Sequence, residues 1–145
     1  MGYRQALEKA GCNVLAFEEF GSYQGEWYAF VEYNGEKGIV QGSYGSCSGC
    51  DAFQAEFSYS DERSESNGKY YRTPWADEDE EITKEEYDKL GEEAEKKLAE
   101  FGLSYLSGGL YNKQHYENKL ANIKEDDWFS EEEREGINWV LSQNW

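Results

Sequence analysis

Asn34-Gly35 constrains this chain more than any other pair of residues, because of what flanks it. Upstream, Glu26 to Tyr33 (EWYAFVEY) is rich in aromatic and β-branched side chains and carries no helix caps. Downstream, Gly38-Ile39-Val40-Gln41-Gly42 begins a returning strand. A two-residue Asn-Gly loop holds both central residues at positive φ and turns the flanking strands antiparallel. Asn13 to Phe20 alternates loosely and predicts a strand before this hairpin. A second hairpin is expected after it, with residues 45–51 (GSCSGCD) at the tip and Ala52 to Tyr59 (AFQAEFSY) as the far strand. The first 60 residues therefore predict a meander of three or four antiparallel strands.

The remainder reads differently. Tyr3 to Ala10 suits a short helix closed by Gly11. Residues 60–72 (SDERSESNGKYYR) are polar and predict a loop, with room for another turn at Asn67-Gly68; Thr73-Pro74-Trp75 closes it. Thr83 and Glu86 form a capping box, and Ile82, Tyr87, Leu90, Ala94, Leu98 and Phe101 then recur on one helical face. Gly102 is expected to cap that helix. Residues 109–123 predict a weaker helix with Leu110, Tyr116, Leu120 and Ile123 inward. Ser130 and Glu133 form a second capping box, opening a helix that turns Ile137, Val140 and Leu141 to the core. The expected fold class is α+β: an antiparallel meander from the N-terminal half packed against helices from the C-terminal half. One domain over 1–145 is expected, β-rich at 13–60, a loop at 60–76 and helical at 83–142.

Composition bounds the partners. Asp and Glu number 31 against 14 Lys and Arg, for a net charge of −17, yet 17% of residues are aromatic. Acidic disordered chains are poor in aromatics, so a folded core is expected. A body this acidic is repelled by nucleic acid and by anionic membranes, and attracted to basic proteins. No run approaches the ~18 apolar residues of a membrane span. The N-terminal MGYRQALEKAG lacks the apolar core of a secretory signal, and Ala6 breaks the myristoylation pattern. Three cysteines, an odd number, fit reduced thiols, so a cytoplasmic protein is expected.

The charge is concentrated. Residues 77–100 hold 12 acidic and 4 basic residues, and residues 125–135 hold 7 and 1. Duplex DNA carries one charge per ~1.7 Å of axis, and a helix rises ~1.5 Å per residue. A helix face rich in Glu therefore offers a negative stripe of comparable density to a protein built to grip phosphates. The candidate contacts are Asp77, Glu78, Asp79, Glu80 and Glu81, with Asp126, Asp127, Glu131, Glu132 and Glu133, and Trp128 as anchor. Trp75, Phe129, Trp139 and Trp145 add further apolar anchors.

A short, strongly acidic, aromatic-rich chain without a catalytic motif resembles the small phage-borne inhibitors that mimic nucleic acid, the anti-restriction and anti-CRISPR proteins. The segment YGSCSGCDAFQAEF also resembles stretches of phage and mobile-element proteins. The first resemblance implies a non-enzymatic inhibitor in a bacterial host cell. It would occupy the nucleic-acid or protospacer-adjacent-motif channel of a CRISPR effector nuclease or another basic DNA-binding protein. Members of that class share no motif, so the resemblance assigns no residue a role.

Two other readings compete. Cys47 and Cys50, spaced C-x-x-C on a Gly-rich turn, form half of a zinc knuckle, with Cys12, His115 or a carboxylate such as Asp51 to complete it. A thiol-dependent enzyme would use Cys47 or Cys50 with His115, the single histidine, as base. No P-loop, dinucleotide fingerprint, EF-hand or H-E-x-x-H motif occurs. Acidity serving solubility alone, as in halophiles, fits poorly with 10 lysines.

Overall fold

A computed structural model describes residues 2–21, 23–45, 51–53, 63–71, 81–123 and 130–145. Its elements are α1 (Tyr3–Lys9), β1 (Asn13–Gly21), β2 (Gly25–Tyr33), β3 (Glu36–Tyr44), β4 (Ser64–Ser66), β5 (Lys69–Tyr71) and β6 (Glu81–Ile82). The helices α2 (Lys84–Leu106), α3 (Lys113–Asn122) and α4 (Ser130–Leu141) follow. The fold is α+β, as the sequence predicts. β1, β2 and β3 form an antiparallel meander. Asn34 and Gly35 turn β2 into β3 at φ 53° and 81°.

β2 is the central strand, and Trp27 through Val31 are all buried. A continuous buried run requires cover on both faces, since alternate side chains point opposite ways. Trp27, Ala29 and Val31 face α1 and the end of α2, packing with Tyr3, Leu7 and Leu106. Tyr28 and Phe30 face the other way, against Tyr116 of α3 and Ile137 and Val140 of α4. Tyr111 exchanges two backbone hydrogen bonds with Ile39, at 2.9 Å each, which carries the chain across the open edge of β3 between α2 and α3. The C-terminal helices thus cover the sheet as expected, and α1 joins them.

Several expectations need correcting. Gly102 does not end α2, which runs on to Leu106. A Cβ there would collide with the Ala6 carbonyl, so this glycine is a contact point between two helices rather than a cap. Leu90, Ala94, Leu98 and Phe101 are only half-buried, while Gly91, Gly102 and Leu106 are the buried residues of α2. The weaker helix begins at Lys113 rather than 109, because Gly109 sits at φ 87°. Asn112 caps it by accepting from the His115 N–H at 2.9 Å.

The polar stretch read as a loop holds β4 and β5, which pair with β6 beyond it in a second antiparallel sheet, β4-β5-β6. Asn67 and Gly68 turn β4 into β5 at φ 52° and 78°. Arg63 clamps it to α2: its guanidinium lies 4.0 Å over the Tyr87 ring and donates to the Tyr87 carbonyl at 2.6 Å. Ala52 and Phe53 are helical, not the start of a strand; the rest of that predicted strand, residues 54–59, lies outside the described residues.

The Thr83 cap is present, its Oγ1 accepting from the Glu86 N–H at 3.2 Å. Thr83→Ala should cost about 1 kcal/mol, read as a lowered urea midpoint at an unchanged slope. The reciprocal cap at Ser130 falls where side chains are not described.

Candidate functional site

The far end of the main sheet is built from small residues. Gly21 faces Gly25 across β1 and β2, and Gly25 in turn faces Tyr44 of β3. Gly21 adopts φ 126°, which an L side chain rarely tolerates. A Cβ at Gly25 would lie 2.7 Å from the Tyr44 hydroxyl and would collide with the Phe20 carbonyl. Beside this close-packed backbone, a cavity of about 420 Å³ opens between the sheet end and the first turn of α4.

Its walls are aromatic and its acids come from both halves of the chain. Phe20, Tyr28 and Tyr44 line it together with Glu26, Glu132 and Glu133, and Gln24 and Ser43 add neutral polar groups. Glu26 and Tyr28 lie two residues apart on β2 and therefore share a face. The Tyr28 hydroxyl donates to Glu26 Oε2 at 2.8 Å. Gly136 lets α4 close on the same ring, since a Cβ there would come within 2.5 Å of Tyr28 Cε2. Glu26 and Glu132 are exposed, so the carboxylates form a rim above the rings. Glu133 is half-buried and pairs with Lys119 at 3.8 Å.

Burial, more than any neighbour, raises the pKa of Tyr28; the hydrogen bond to Glu26 raises it further, and Tyr116 and Glu133 add to this. Burial likewise raises that of Tyr44, with Glu19 and Glu132 adding to it. Both hydroxyls therefore stay protonated and uncharged at neutral pH, and the negative charge at the site belongs to the carboxylates. Tyr44 is 5% exposed, and its hydroxyl has no hydrogen-bond partner among the described residues.

No protein-family model, curated protein or solved structure matches the chain. The site must therefore be read from its own residues.

Of the predicted contacts, Asp77, Glu78, Asp79, Glu80, Asp126, Asp127 and Trp128 lie outside the described residues, as do Cys47 and Cys50. Glu81 is exposed on β6, and Glu131 and Glu132 are exposed on the first turn of α4. α2 itself is less acidic than the wider cluster, since residues 84–106 carry seven acidic and four basic side chains. Trp139 and Trp145 are half-buried and pack against Phe20 and Phe30, at centroid distances of 6.3 and 5.1 Å. Both belong to the core on the α3–α4 face, so they are not free anchors.

Cys12 and His115 are held apart. Cys12 belongs to the core on the α1 face, its thiol pushed up to about 11 mainly by burial and further by Glu8. That is the opposite of what a thiolate ligand or nucleophile requires. His115 stacks on Tyr111 at 4.5 Å and meets Tyr116, which belongs to the opposite face. They do not share one ion with each other, and no group of three ligating side chains occurs among the described residues. Asp51 is 1% exposed and engaged by Tyr3, Gly45 and Phe53. No helix among the described residues is long and apolar enough to cross a membrane.

Sequence reasoning missed Glu26, Phe20, Tyr28 and Tyr44 as site residues. The Glu26-x-Tyr28 spacing was the one signal available, and it says only that the two share a face.

Proposed function

We propose that the chain is a non-enzymatic acidic binding protein that blocks a basic, nucleic-acid-binding surface of a nuclease or another DNA-binding protein. One observation carries this reading. Glu26 from the sheet and Glu132 and Glu133 from α4 converge on one aromatic-walled cavity, and only Glu133 of the three has a cationic neighbour within ion-pair distance among the described residues. Uncompensated carboxylates cost self-repulsion in the free protein, a cost relieved when a basic surface docks. Glu131 extends the acidic rim along α4. The clusters at 77–81 and 125–128 add long-range attraction, which speeds encounter and excludes other polyanions from the same surface.

The test is competitive displacement. The full chain is titrated into basic nucleases, CRISPR effectors among them, holding a labelled duplex. Displacement is expected at low salt, with affinity falling by roughly tenfold or more between 50 and 200 mM salt as counterions compete. Absence of displacement at low salt, or an affinity indifferent to salt, would sink the reading.

A further inference from the structure

We propose that the outer edge of β1 is a docking site for an extended, basic segment of a partner protein, which adds to the main sheet as a further antiparallel strand. This rests on the reading above only for the sign of the partner's charge; the backbone geometry of the edge stands apart from it.

Backbone register decides which groups face outward. Ile39 directs both its N–H and its C=O to Tyr111, away from β2. Successive residues of an antiparallel strand alternate in this respect. Phe30, opposite Ile39, therefore turns its own N–H and C=O toward β1, where its partner is Ala16. The register of β1 against β2 runs unbroken from Ala16 to Gly21. Ala16, Glu18 and Phe20 thus bond to β2, and Phe17 and Glu19 point their N–H and C=O groups away from the sheet. No hydrogen bond to any of these four groups occurs among the described residues. The edge of β3 is met by Tyr111, whereas that of β1 has no such cover. The bulge at Leu15, where the register shifts between Val14 and Ala16, ends the open stretch.

Charge selects the occupant. A residue added opposite Glu18 shares its face of the sheet, and one opposite Glu19 shares the other face, with Cβ atoms ~5 Å apart. Glu18 is exposed and Glu19 half-buried, and neither has a cationic neighbour within ion-pair distance among the described residues. Two consecutive lysines or arginines therefore meet one carboxylate each. Phe17 and Phe20 flank the acids and are half-buried, so they offer apolar contact to the residues on either side. The complementary strand reads apolar, basic, basic, apolar. A second copy of this chain is the wrong occupant. Self-pairing centred on Glu18 or Glu19 sets carboxylates against their counterparts, and like charges opposite one another destabilise a sheet. Acids at an edge deter such pairing, and the same acids favour a basic strand.

The experiment titrates the full chain with the peptide acetyl-Thr-Val-Lys-Lys-Val-Thr-amide and follows backbone amides by NMR. In the free chain the Phe17 and Glu19 amides should exchange quickly with solvent while that of Glu18 is protected; on binding, both should slow. Methylating the two peptide nitrogens that face Phe17 and Glu19 removes two hydrogen bonds at unchanged charge, and should weaken binding by about tenfold or more. Methylating the lysine nitrogen opposite Glu18, which points away from β1, should cost less than about threefold. These peptides leave the protein unaltered, so folding does not enter the comparison. Glu18→Gln with Glu19→Gln should weaken binding by about fivefold, against less than about twofold for Glu92→Gln with Glu100→Gln on the exposed face of α2. Equal binding by all three peptides, shifts spread over the acidic surface, or protection of the Phe17 and Glu19 amides in the free chain, by a second copy or by the chain itself, would overturn the proposal. Pairing at β1 in a chain that displaces no duplex would sink the proposed function and leave the strand site standing. Displacement without pairing at β1 would do the reverse.

Discussion

Asp51→Ala is expected to cost about 3–5 kcal/mol of folding stability, because it removes a buried carboxylate that accepts from three separate donors. The Tyr3 hydroxyl donates to Asp51 Oδ1 at 2.5 Å, the Phe53 N–H donates to the same oxygen at 2.9 Å, and the Gly45 N–H donates to Oδ2 at 2.9 Å. This one side chain therefore ties the N-terminal helix, the end of β3 and the segment at 51–53 together. Tyr3 bears the mark of the arrangement: burial raises its hydroxyl pKa, and the hydrogen bond to Asp51 raises it further. Asp51→Asn keeps one acceptor oxygen but sets an amide donor against donors, so it should fall between alanine and the parent. Thermal unfolding reads the series. A variant within about 0.5 kcal/mol of the parent, as at ordinary surface positions, would mean that Asp51 is not the tie described.

Gly102→Val should be comparably damaging. The α1–α2 contact brings the Ala6 backbone against the Gly102 Cα, leaving no volume for a side chain. Backbone cannot swing aside as a flexible side chain can, so α1 must lift away. Tyr3 and Leu7, 1% and 0% exposed, would lose their cover. A loss of about 3 kcal/mol or more is expected, with Gly102→Ala smaller because alanine recovers roughly 1 kcal/mol of helix propensity. The discriminating observation is local. Hydrogen exchange should accelerate first in α1, and uniform acceleration across the sheet would contradict the packing described.

These two residues show where sequence patterning succeeds and stops. Asn34-Gly35 and Asn67-Gly68 are legible because their chemistry is local: an asparagine and a glycine accept positive φ whatever surrounds them. Thr83 is legible for the same reason. Gly11 and Gly102 each follow an apolar helical run, yet Gly11 ends its helix at φ 93° while Gly102 lies inside one. The difference is the neighbour at Gly102, the backbone of a helix some 96 positions earlier, which no local pattern records.

The site was hidden in the same way. Counted along the chain, the first 60 residues are weakly acidic, and Glu26 looks like one exposed strand residue among several. Folding sets it beside Glu132 and Glu133, whose acidity was visible as a run but whose companions were not. The tryptophans mislead in the opposite sense. Their position among acids suggests anchors, whereas Trp139 and Trp145 close the core behind α4.

Arrangement, rather than total acid content, is what should do the binding. The direct test compares two double variants that each remove two negative charges: Glu26→Gln with Glu132→Gln at the cavity, and Glu92→Gln with Glu100→Gln on the exposed face of α2. Affinity for an arginine-rich peptide, measured at one moderate salt concentration, should fall more than tenfold for the cavity pair. The α2 pair should stay within about twofold, since neither residue lines the cavity and isolated exposed charges interact weakly in water. Equal losses in the two double variants would show that bulk charge alone attracts the peptide, and would contradict a defined site.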